Sequence, residues 1–154
     1  MGNTRLVDES DLRIRSAVYG SFVRDGNAPS AAQTAEALGL DRQEVEEAFR
    51  RLHDAHALVL QPGTTEIRML NPFSAVETPH RVQADGRSWY ANCAWDALGI
   101  PAALHVDGAI ETRCPDCGER LELEVRDGEL VRGAELLVHF VVPARRWWDD
   151  IGFT

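Results

Sequence analysis

The sequence predicts an α+β chain: a three-helix segment packed on a small mixed β-sheet domain. Three observations predict it. Apolar residues recur at helical spacing in three stretches before residue 56. After residue 80 the chain turns to short runs that alternate apolar and polar residues, as half-exposed strands do. Between them lies "NPFSAVETPHRVQADG", where Pro72 and Pro79 prevent a long helix. That stretch reads as a linker into a strand near 81–84, with the boundary between the halves near Asn71. The expected units are residues 1–70 and 71–154.

The first helix is expected over 8–24, where Leu12, Ile14, Val18, Tyr19, Phe22 and Val23 fall at helical spacing, with Ser10 as its N-cap. "DGNAPS" breaks it. Ser30 can cap a second, alanine-rich helix that Gly39 closes. Asp41 can cap a third, whose stripe is Val45, Ala48, Phe49 and Leu52. "ALVLQPG" and "TEIRML" read as two short strands around a Pro-Gly turn. Three helices and a hairpin form a winged-helix-like segment. Many such segments bind DNA through the third helix. Here Asp41 to Ala55 carries five acids and three arginines, a surface that phosphate would repel.

In the second half, "SWYANCAWDALGIPAAL" contains a candidate helix. Strand-like runs follow: "AALHVDGAIETR", "RLELEVRDG" and "AELLVHFVVP", the last with His139 alternating within it. "CPDCGE" falls between two of them as a turn.

Composition excludes several classes. With 154 residues the chain can form one compact domain or two small ones sharing a core. No apolar run approaches the roughly 20 residues that cross a bilayer. The N-terminal "MGNTRLVDESDLR" has no apolar core of its own, so no signal peptide is expected and the location expected is cytoplasmic. Leu6 stands where a myristoylation signal at Gly2 would want Ser or Thr. The net charge of −9 weighs against a nucleic-acid partner. Three cysteines, an odd count, point to thiol chemistry, metal or plain burial rather than to a disulfide framework.

Cys114 and Cys117 form a Cys-x-x-Cys before a glycine, half of a zinc knuckle. Cys93, His105 or His139 could complete four ligands, although their spacing fits no standard pattern. Three readings stay open: a structural turn, a metal site and a redox pair. The five histidines are scattered, and His53 and His56 are expected to face solvent or to favour the end of the third helix.

Cys93 and Asp96 are spaced i, i+3, which on a helix places both side chains on one face. Burial among Trp89, Tyr90 and Trp95 would raise both pKa values. A carboxyl so raised can donate a proton near neutral pH. A thiol beside it can take a soft metal, which drives off the thiol proton. Thiol plus proton donor suits breaking a bond between a soft metal and carbon. The plain alternative is a small buried hydrophobe next to a helix-capping aspartate.

"GRSWYANCAWDALGIPAAL", followed by a strand, "CP-x-x-G", an alternating strand and "HFVVP", resembles the organomercurial (alkylmercury) lyase family. Cys93, Asp96 and Pro101 match the family's order, and Arg87, Trp89 and Tyr90 match its lead-in loosely. The likeness runs from about the first helix to "VVPARRWWDD" and makes 71–154 an alkylmercury-lyase-like sheet domain. It implies that the Cys93 thiolate coordinates the mercury of an organomercurial substrate. Asp96 would take a thiol proton and then protonate the carbon. No cofactor is implied beyond external small thiols, and the mercuric product would pass to those thiols or to a mercuric reductase. The metal-binding residue is then Cys93, with Cys114 and Cys117 as secondary candidates. One departure is plain. The family uses a second catalytic cysteine beyond the "VVP" region, and this sequence has none after Cys117 within its 154 residues. Either the chain is a truncated or divergent member, or another group takes that role. The rivals are a thiol-based soft-metal carrier and a metal-responsive winged-helix regulator.

Overall fold

A computed structural model describes residues 7–152. Gly2 and Leu6, read above for lipidation, and Thr154 lie outside them. Contacts divide the chain into two compact units, Met1–Leu70 and Asn71–Thr154.

The first unit contains α1 (Glu9–Asp25), α2 (Ala31–Leu38), α3 (Arg42–Asp54) and a hairpin of β1 (Val59–Leu60) and β2 (Ile67–Leu70). Each helix start has a chemical cause. Asp8 caps α1 through the Asp11 N–H, so Ser10, expected as the cap, lies inside the helix. An aspartate two residues earlier offers the same acceptor with a full charge at the positive helix end. Ser30 and Gln33 form a reciprocal capping box on α2, and Gly39 closes it in the left-handed region at φ 67°. Asp41 caps α3. Ile14, Val18 and Phe22 of α1 and Val45, Ala48, Phe49 and Leu52 of α3 are fully buried. Leu12 is not among them, being 52% exposed.

Asp11 is a charged residue buried at 1% exposure, and its partner explains it. The Arg51 guanidinium donates to both Asp11 oxygens, at 2.6, 3.1 and 3.2 Å. All three α3 arginines are engaged with acids: Arg42 and Arg50 with Glu46, Arg51 with Asp11. His53 does not simply face solvent, because its Nδ1 accepts from the Leu60 N–H at 3.3 Å.

The second unit contains β3 (Phe73–Ser74), β4 (Arg81–Ala84), β5 (Arg87–Ala91), α4 (Ala94–Leu104), β6 (Gly108–Arg113), β7 (Arg120–Arg126), β8 (Glu129–Arg132) and a 3₁₀ turn at Ala144–Asp149. These strands lie in the order β3-β5-β4-β6-β7-β8. Their pairings are antiparallel, where a mixed sheet was expected. The reason is that α4 joins β5 to β6, strands of like direction, while β4 pairs between them and opposes both. Two Asp-Gly turns, with Asp85 and Gly86 at φ 49° and 70° and Asp127 and Gly128 at φ 51° and 78°, make the tight hairpins β4-β5 and β7-β8.

Several boundaries differ from expectation. The linker contains a short strand, because the buried Phe73 pairs opposite Ala91 and tilts against Trp89 with ring centroids 6.2 Å apart. The start of "AALHVDGAIETR" is the end of α4. "AELLVHFVVP" is not a strand, and His139 does not alternate within one. The Asp127-Gly128 turn places 129–132 against β7 instead. Gly133, at φ 86°, then directs the chain away, leaving Leu137 94% exposed.

A candidate thiol–carboxyl site

α4 packs across β5, β4 and β6, burying Ala97, Ile100 and Pro101. Burying one side chain such as Ile100 stabilises by about 2 kcal/mol. Glycines set the closeness of that packing. A Cβ on Gly108 would lie 3.0 Å from the Pro101 Cγ, and one on Gly99 would lie 3.3 Å from the Pro72 Cβ. The Pro101 ring of the helix therefore rests on the bare backbone of Gly108 in β6, and the helix N-terminus follows directly from the end of β5.

Cys93 is the N-cap of α4, in extended conformation at φ −143° and ψ 177°. The Cys-x-x-Asp spacing is that of a capping box, with a thiol where serine or threonine is usual. The thiol turns to the third helical residue: Cys93 Sγ donates to Asp96 Oδ2 at 3.5 Å. The sequence expectation that these two groups share a face is met, through cap geometry rather than through two positions within one helix.

Opposing effects act on the sulfur. The N–H groups of Asp96 and Trp95 face it and favour a thiolate. Burial and the Asp96 carboxylate act against them and win, pushing the Cys93 thiol up to about 11. Burial also pushes Asp96 up, while hydrogen bonds from the Cys93 thiol and backbone pull it back. At neutral pH the resting site is thus a protonated thiol donating to a carboxyl that holds a proton more readily than a surface aspartate.

The surroundings are aromatic. Trp95, 60% exposed, meets Phe140 edge-on at 6.4 Å, and Phe140 lies 4.9 Å from Trp147. Trp147 donates its indole N–H to the Val142 carbonyl at 2.9 Å. The apolar run misread as a strand thus supplies Phe140 to a cluster with Trp95, two residues from Cys93 in the chain. Asn92 adds a second tie, donating to the Ile151 carbonyl at 3.0 Å and fastening the C-terminal segment next to Cys93. Sequence reasoning missed both Phe140 and Asn92. Neither belongs to a local pattern, and each gains its role from a partner distant in the chain.

Cys114 and Cys117 fall elsewhere, on the turn joining β6 to β7, as the sequence suggests. All three cysteines are free. Among the described residues no three His, Cys, Asp or Glu side chains gather as a metal site, so Cys93, His105 and His139 do not complete a zinc knuckle with the turn. No helix among the described residues is long and apolar enough to cross a membrane.

Fold and site together define an α+β protein with a thiol–carboxyl pair at the head of a helix laid across an antiparallel sheet. A sequence model of MerB, alkylmercury lyase, matches residues 73–154, more than half of the chain. An alkylmercury lyase of Pseudomonas putida is 35% identical over 69 residues, 44% of this chain and 32% of that protein. One of Bacillus cereus is 38% identical over 56 residues, 36% of this chain and 26% of that protein. The crystal structure of the mercury-bound form of MerB2 superposes with a TM-score of 0.68 at 25% identity, over 82% of this chain and 61% of that one. The chain belongs to the alkylmercury lyase family. It spans about a third or less of the curated relatives' length.

Proposed function

We propose that this protein cleaves carbon–mercury bonds by protonolysis, with Cys93 as the mercury ligand and Asp96 as the proton carrier. The observation that carries this reading is the 3.5 Å approach of the Cys93 thiol to the Asp96 carboxylate. That contact supplies a path for the proton. An organomercurial R–Hg–X meets the thiol, sulfur displaces X on mercury, and the thiol proton passes to Asp96. The carbon–mercury bond then breaks with its electron pair on carbon, which takes the proton from Asp96 and leaves as R–H. A small external thiolate supplies the second sulfur on mercury and the carboxylate is restored. A second small thiol then displaces Cys93 from mercury and gives its proton to the Cys93 sulfur, so mercury departs bound to two small thiolates. No group changes oxidation state.

The raised thiol suits this order of events. A free thiolate at Cys93 would leave Asp96 without the proton it later delivers. A soft metal displaces a thiol proton even from a group near 11, since metal coordination deprotonates thiols outright. The raised Asp96 is a better proton donor at neutral pH than a surface carboxyl. Trp95, Phe140 and Trp147 offer an apolar wall to the organic group. We assign the protein to the cytoplasm, where small thiols are abundant and a mercuric reductase is a fitting recipient of the product.

A second reading has its own observation. Cys93 is the one cysteine at this site among the described residues, because Cys114 and Cys117 occupy the β6–β7 turn. A single thiol supports mercury uptake without turnover, as in a carrier built on a lyase fold. One experiment separates the two: phenylmercury with excess small thiol, with benzene release measured beside a Cys93→Ala control. Multiple turnovers lost in the control are expected. Tight uptake with no benzene would establish the carrier.

A further inference from the structure

The turn Cys114-Pro-Asp-Cys117 takes no part in that chemistry, yet it is built with care. The Gly118 N–H donates to the Cys114 carbonyl at 2.9 Å, and the Cys114 N–H donates to the Glu119 carbonyl at 2.9 Å. Gly118, at φ 74°, adopts the left-handed conformation that the closure requires. The flanking pair Arg113 and Arg120 is in register across β6 and β7. Both sulfurs are therefore carried on one fixed loop. Cys117 is exposed and Cys114 partly so, and neither is oxidised.

The two sulfurs sit three positions apart on this one closed turn. The site has two thiols and no third ligand, since no group of three metal-binding side chains occurs among the described residues. Zinc wants four ligands in a closed structural site. Two thiolates alone suit a soft cation content with two-coordination.

We propose that Cys114 and Cys117 form a second, chelating thiol site that holds one mercuric ion between the two sulfurs. The choice of mercuric ion as cargo rests on the lyase reading; the two-thiol geometry does not. Loading is a ligand exchange. A mercuric ion carried by two small thiolates passes to the two protein sulfurs, and the two protein thiol protons leave on the two small thiols. No oxidant enters. Two sulfurs on one short turn act at an effective concentration of about a millimolar or more, so the chelate outcompetes a monothiol below that level. The turn would then retain the ion that Cys93 releases.

The test uses the full chain with Cys93→Ser, loaded with mercuric chloride and dialysed against about 0.1 mM monothiol, well below that effective concentration. One mercury per chain is expected, with both remaining thiols lost to titration together. Adding Cys117→Ser should cut the retained mercury at least tenfold, with an unchanged metal-free melting curve showing that the fold persists. A Cys93→Ser chain that keeps no mercury would overturn the site, and so would a Cys117→Ser addition that keeps as much as its parent. The same chain offered zinc should retain none; one zinc per chain would overturn the two-coordinate assignment. Because loading needs no turnover, a chain that never releases benzene still answers this question.

Discussion

The second unit carries thiols in two places, and the two are opposites. Cys93 is half-buried against a carboxylate, and its thiol is pushed up to about 11. Cys114 stands on a surface turn, and the N–H groups of Cys117 and Asp116 pull its thiol down. Nearby backbone N–H groups pull both thiols down, so those groups do not make the difference. Burial and one negative neighbour do, and at Cys93 they outweigh the head of a helix. Under the roles proposed above, the contrast separates two tasks: keeping a proton for delivery to a substrate, and giving up protons to hold an ion.

The largest effect that would break this contrast lies at Asp96. Asp96→Asn keeps the size and a hydrogen-bonding group but cannot carry the proton. General acid catalysis contributes about 10²–10⁴ in rate. Benzene release from phenylmercury should therefore fall at least a hundredfold, while one mercury per chain still binds at Cys93. Equal rates would remove the proton-carrying role. Retained mercury at the β6–β7 turn should not change, since Asp96 does not touch it.

Alkylation reads the two thiol settings directly, with a smaller effect. Only the thiolate reacts. A thiol near 11 is about one-thousandth ionised at pH 8, against about one-tenth for an ordinary cysteine near 9. The greater nucleophilicity of a more basic sulfur offsets part of that hundredfold gap, leaving roughly tenfold. Iodoacetamide at pH 8 should thus label the turn before Cys93 by at least about tenfold. The Cys93 rate should climb with pH until about 11. Asp96→Asn removes the negative neighbour, lowers the thiol and should speed Cys93 labelling at pH 8 several-fold. Peptide mapping by mass spectrometry gives each rate, and labelling of Cys93 first would contradict the buried, carboxylate-facing setting.

Legibility in the sequence followed the range of the interaction. The caps Ser30 and Asp41, the stripe through Val45 and Leu52, and the Cys93–Asp96 pairing were all readable, because each depends on residues within four positions. The strand assignment of "AELLVHFVVP" failed because alternation shows that a segment could pair, not that a neighbour is free to receive it. The Asp127-Gly128 turn had already given the place beside β7 to Glu129–Arg132. Phe140 and Asn92 were invisible for a related reason: their partners, Trp95 and Ile151, lie 45 and 59 residues away. The buried pair of Asp11 and Arg51 was invisible too, since a charge in a helix reads as a solvated face until its partner arrives from 40 residues away.

The smallest expected effect tests whether the two thiol settings are mechanically independent. Gly108 lies under α4, and an added methyl would sit 3.0 Å from the Pro101 Cγ and 3.5 Å from the Gln83 carbonyl oxygen. The ring on one side and the backbone of β4 on the other leave the helix as the part that must give. Overpacking of this kind costs about 1–2 kcal/mol, or roughly 2–8 °C in melting temperature for a chain of this size. Gly108→Ala should therefore lower the melt by a few degrees. It should also slow benzene release a few-fold, because α4 carries both Cys93 and Asp96. The β6–β7 turn is closed by its own backbone hydrogen bonds at the far end of β6, so its mercury load should stay at one per chain. An unchanged melt would mean that α4 rests less tightly on β6 than the 3.0 Å approach requires. A fallen mercury load would mean that the turn depends on the helix, and that the two sites are one mechanical unit.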